Sequence, residues 1–129
     1  MIHLGLFENF KSEARIVLCS GNNKDMELLL SLVARVHSGD HNLISLHDEA
    51  AVALNHPVKL FAARSLPRSQ AATEFILLCA DDAGLEVLGK IRPLIEVRHG
   101  HQYFDLGGDT VPLMISVNEY QDEWWENHG

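Results

Sequence analysis

The chain has no apolar run near the roughly 18–20 residues that a membrane-crossing helix needs. Its opening, MIHLGLFENF, lacks the basic start and long apolar core of a secretory signal. Positive charge is also scarce: 10 Lys and Arg stand against 18 Asp and Glu, a formal net charge of -8 with histidine neutral. Neutralising nucleic-acid phosphates needs clustered Lys and Arg, so neither DNA nor RNA is expected as a partner, and no membrane is. An acidic surface of this kind instead steers a basic protein toward it. Cysteine is limited to 2 residues, in VLCS and LLCA, which read as buried small thiols in a reducing cytosol; a disulfide is the alternative. A cytoplasmic protein is expected.

Catalytic signatures are missing too. No G-x-S-x-G elbow, G-x-x-x-x-G-K-[ST] phosphate loop or G-x-G-x-x-G turn occurs, and both cysteines lie mid-strand rather than at helix N-termini, where thiolates are stabilised. No catalytic residue and no cofactor is assigned. Asp81 and Asp82 resemble a carboxylate dyad, but at a helix start they have a simpler role in capping and in offsetting the helix dipole.

What is present is a single domain of 129 residues, 47% apolar and 22% charged, an ordinary globular balance. Its blocks recur in order. IVLC (16–19) answers ILLC (76–79), and each precedes a helical pattern. The first, about Lys24 to His37, carries Met26, Leu29, Leu30, Val33 and Val36 on one stripe. The second, about Asp81 to Val97, carries Leu85, Leu88, Ile91, Leu94 and Ile95, with Asp81 or Asp82 as N-cap and Pro93 ending or kinking the regular ladder. HNLISL from His41 then answers HQYFDL from His101, and PVKLFA from Pro57 answers PLMISV from Pro112.

The chain therefore reads as α+β: two tandem β-α-β-β units with pseudo-two-fold internal symmetry, sharing one mixed sheet or two halves of one. Both main helices lie on one face, and the strands flanking each helix run parallel through a right-handed crossover. The first unit spans 1–65 and includes an N-terminal edge strand, IHLGLF, turning near Asn9 to Glu13. A linker at 66–73 lies within RSLPRSQAAT, the second unit spans 74–118, and an acidic aromatic tail occupies 119–129. The insertion DEAAVALNH in the first unit reads as a short helix begun by Asp48, and GGD in the second as a tight turn.

Period two assigns the faces. Ile44, Leu46, Val58, Leu60, Phe104, Leu106, Leu113, Ile115 and Val117 point to the core. His101, Tyr103 and Asp105 share the opposite face, which no helix covers in this scheme. Solvent, the tail or another chain must meet it, and a homodimer is expected on that account.

His99 and His101 form an H-x-H pair able to place two imidazoles on one side of a strand, but Asp105 lies about 13 Å further along. His41 would have to complete such a site, and no metal is assigned. In the tail, EYQDEWWENHG, with Tyr120, Trp124 and Trp125 among acidic residues, a helix would send the two tryptophans about 100° apart, so that one docks while the other stays near the surface.

GHQYFDL, the return strand VPLMISVNEY and the following WW resemble small bacterial immunity-type proteins of polymorphic or contact-dependent toxin systems. The resemblance covers Gly100 to Trp125 and implies a small, acidic, cytoplasmic α+β protein that binds and neutralises a toxin without catalysis. No binding residue carries over individually.

Two readings follow. The first is a protein-binding module, with His99, His101, Tyr103, Asp105, Tyr120, Trp124 and Trp125 as candidate binding residues. The second is a small-molecule- or metal-binding protein, or an enzyme, using His99, His101, Tyr103 and Asp105 on the open face.

Overall fold

Strands β1 (Ile2–Phe10) and β2 (Glu13–Gly21) form a long antiparallel hairpin, turned by Lys11 and Ser12 at φ 47° and 70°. The computed structural model describes residues 1–52 and 58–128. Helix α1 (Asn23–Ser38) begins with a capping box in which Asn22 and Asp25 each accept the other's backbone N–H at 2.9 Å, and it ends at Gly39 with φ 90°. Its buried stripe is Met26, Leu29, Leu32, Val33 and Val36, with Leu30 only partly covered.

There follow β3 (Leu43–Ser45), a 3-10 turn at Leu46–Glu49, β4 (Ala50–Val52), β5 (Lys59–Ala63), β6 (Glu74–Leu78), α2 (Asp81–Ile91), β7 (Gly100–Phe104), β8 (Leu113–Val117) and α3 (Asp122–His128). The protein is α+β, with three α-helices and two mixed sheets among the described residues. The sheets are ordered β4-β1-β2-β8-β7 and β3-β5-β6.

This arrangement corrects the expected crossover. The strands flanking α1, β2 and β3, lie in different sheets, as do β6 and β7 around α2. Each hairpin that follows a helix pairs instead with the strand preceding the other helix. β7–β8 joins β2 in parallel through β8, and β3–β5 joins β6 in parallel through β5. The two joins are not in matching register. Val17 pairs with Leu113, and the sequence blocks carried across would set Leu77 opposite Val58, but Leu77 pairs with Ala62. The slip is an even number of residues, so the inward faces survive it.

Four smaller expectations also change. β1 is not an edge, because β4 pairs with it in parallel on the side away from β2. The insertion yields the 3-10 turn, with Asp48 inside it, and then β4; Pro57 and residues 53–56 lie outside the described residues. α2 stops at Ile91 and passes into a 3-10 turn at Arg92–Ile95, as Pro93 requires, so the helix does not reach Val97. Its N-cap is Ala80, which makes no side-chain cap bond; Asp81 stands at φ 51°, and Leu85 is 59% exposed while Val87, Leu88 and Ile91 face inward.

One apolar core unites the halves. Leu4, Val17, Cys19, Leu60, Leu77, Phe104 and Leu113 from the sheets meet Met26, Val33, Leu88 and Ile91 from the helices. Leu46, Val58, Leu106, Ile115 and Val117 are buried with them, and Ile44 is partly buried. No described helix is long and apolar enough to cross a membrane.

Candidate binding surface

The reverse face of the larger sheet is not open. Alternation sends Ile16, Leu18 and Met114 to this side, where all are fully buried beneath α3. Trp125 is the anchor, 5% exposed, its Nε1 donating to Ser20 Oγ at 2.8 Å and its ring stacked on His3 at 5.2 Å. Gly5 makes room for it: a Cβ there would lie 2.9 Å from Trp125 Cζ3 and 2.7 Å from the Phe7 ring. His3 Nε2 donates to Asp122 Oδ1 at 3.0 Å and ties the start of α3 to β1.

Trp124 points elsewhere and is half-buried at the centre of an aromatic seam. Its ring meets Phe7 at 5.4 Å, Phe10 at 6.0 Å and Tyr120 at 4.8 Å, and stacks on His128 at 4.3 Å. Burial pushes the Tyr120 phenol up, and the hydrogen bond and charge of Lys11 only partly oppose this. The exposed carboxylates of Asp122, Glu123 and Glu126 flank the rings on α3.

Beside the seam lies a polar brace between β7, β8 and the start of the tail. His101 Nδ1 donates to Glu119 Oε1 at 2.8 Å, and the buried Ser116 hydroxyl donates to the same oxygen at 2.6 Å. Burial alone would push the Glu119 carboxyl up. The bonds from Ser116 and His101, with the charges of His101 and Lys11, outweigh it and hold the group below its ordinary value. Tyr103, 38% exposed, stands edge-on to His101 at 5.5 Å.

This trio is not arranged as a Ser-His-Asp triad. In that triad an imidazole takes the serine proton, whereas Ser116 donates to the Glu119 carboxylate, which lies between it and His101.

The candidate residues thus divide. Tyr120 and Trp124 form the seam, His101 and Tyr103 lie beside it across the Glu119 brace, and Trp125 is buried beneath as the anchor of α3. His99 and Asp105 are exposed and join neither the brace nor the seam. No group of three His, Cys, Asp or Glu side chains is placed to hold a metal ion among the described residues. Cys19 and Cys79 are free and buried, their thiols pushed up to about 12, chiefly by burial.

Sequence reasoning missed Ser20, Ser116, Glu119 and His3. The two serines left a signal, as polar residues inside the apolar strands IVLCSG and LMISV. Compared with protein-family models, curated proteins and solved structures, the chain finds no match.

Proposed function

We propose that the protein is a non-catalytic binding module that holds a basic protein on the seam formed by α3 and β7. The observation that carries this is the half-buried Trp124 cluster, flanked across the His101–Glu119 brace by the exposed Tyr103, with the carboxylates of Glu119, Asp122, Glu123 and Glu126 on the same segments. Aromatic anchors inside a polar rim are the usual composition of an interaction hot spot, and the net charge of -8 sets the sign of the partner.

An immunity-type inhibitor of a basic toxin, working in a bacterial cytoplasm, fits this chemistry, and a toxin gene beside this one would support it. With α3 on the reverse face, the reading no longer requires a second copy of the chain. Light scattering at tens of micromolar decides whether a homodimer forms.

The test is affinity capture from the native lysate with immobilised wild type and with a variant carrying Tyr103→Ala, Glu123→Lys and Glu126→Lys, all at exposed positions. A basic protein retained by the wild type, released by salt and lost with the variant is expected. No specific protein on the wild type, or the same protein on both, overturns the reading.

A further inference from the structure

The turn after β7 reaches β6, an edge strand of the smaller sheet, where Gly107 N donates to Ile76 O at 2.8 Å. Gly107 makes this approach possible, since a Cβ would lie 2.6 Å from Leu66 Cδ2 and 3.1 Å from Leu78 Cγ. Next to this junction lies a cleft of about 440 Å³ against α2, within the roughly 300–1,000 Å³ range of small-ligand pockets. Its apolar lining comes from Leu78, Val87, Phe104 and Leu106.

The charges in the cleft are unequal. Lys90 is engaged: its Nζ donates to the Tyr103 carbonyl and sits 4.9 Å from the centre of the Phe104 ring. Glu86 and Asp105 are exposed and neither forms an ion pair among the described residues. The cleft therefore offers an apolar bed, an aromatic ring at Tyr103 and two unneutralised carboxylates.

We propose that this cleft binds a small organic cation, an amine or guanidinium carried on an apolar or aromatic body. The body lies on Leu78, Val87 and Leu106, and the charge faces Glu86 and Asp105. An anion of the same shape meets two carboxylates against the single charge of Lys90, which is drawn toward the Tyr103 carbonyl and the Phe104 ring, so the cation is preferred. The cleft adjoins the aromatic seam at Tyr103, which borders both, but the ligand proposed for it is a small cation and not the seam's protein partner.

The test compares phenethylammonium with phenylacetate by NMR, following the methyl groups of Leu78, Val87 and Leu106. Phenethylammonium is expected to shift these methyls saturably, and phenylacetate to leave them unmoved. The double variant Glu86→Gln, Asp105→Asn should weaken the cation about tenfold or more. Ala83→Trp, which places a large side chain into the cleft from an exposed helix position, should abolish binding while capture of a protein through the seam persists. Should Ala83→Trp fail to fold, the charge-neutral pair, which alters only exposed side chains, carries the test.

Equal binding of the two probes overturns the proposal, as does no binding of phenethylammonium at about 10 mM. Shifts centred on Trp124, or an affinity unchanged by the charge-neutral pair, overturn it equally.

Discussion

Trp125→Ala tests how the larger sheet is closed. α3 has seven residues, too few to stay helical without packing, so its order depends on what Trp125 buries. Truncating a buried tryptophan costs about 3–5 kcal/mol, here including the indole bond to Ser20 and the stack on His3. The cost is capped, because once the anchor is lost α3 leaves the sheet as a unit and no further contacts remain to lose. A loss of about 3 kcal/mol is expected, which lowers Tm by about 10 °C for a chain of this size.

Trp125→Phe keeps a ring but leaves the fully buried Ser20 hydroxyl without its partner, for about 1–2 kcal/mol. Because the two groups share one bond, the double variant Trp125→Phe, Ser20→Ala should cost less than the sum of the single changes. Gly5→Ala should release α3 as Trp125→Ala does, since the added methyl has no place under the indole. The assay is urea denaturation with amide-exchange mass spectrometry of β2, β8 and residues 119–128. If Trp125→Ala costs less than about 1 kcal/mol and the exchange of these segments is unchanged, α3 does not close the sheet and the reasoning is refuted.

Two further outcomes follow from the ionisable groups. Glu119 has its carboxyl held below the ordinary 4.5, so the native state binds fewer protons there than the unfolded chain. Its stabilisation is present above that value and lost as pH falls through the depressed one; Glu119→Gln should flatten the acid limb of Tm against pH, and an unaltered limb would contradict the brace. Cys19 and Cys79 rise from 9.0 to about 12, so their contribution is intact below pH 9 and fades as pH climbs toward 12. Neither thiol should react with a disulfide reagent at pH 8 faster than the protein unfolds, and rapid labelling of the folded state would show that they are not buried.

The sequence carried the faces of the fold further than its neighbours. Period two placed Phe104, Leu106, Leu113, Ile115 and Val117 inside, and they are inside, because alternation is local and survives any even slip of register. Which strand lies beside which is a matter of pairing between distant segments, and no local pattern separates a crossover within one sheet from a hairpin exchanged between two. The spacing-based α2 stripe holds at Leu88, Ile91 and Leu94, which are buried, but Leu85 faces out and Val87 faces in.

At the candidate site, the H-x-H spacing suggested ligands, yet the partner that defines His101 is Glu119, supplied by the turn after β8. That pairing is long-range and leaves no spacing signal. The adjacent tryptophans were informative because a helix must separate them by direction: Trp125 is buried and Trp124 is half-buried among other rings.

The central claim, an acidic aromatic seam that holds a basic protein, is tested most directly by capture from native lysate with three forms of the chain: wild type, the Tyr103→Ala, Glu123→Lys, Glu126→Lys variant, and Ala83→Trp. The account predicts one basic protein retained by wild type and by Ala83→Trp and lost with the seam variant. Retention by all three forms, or by none, contradicts it.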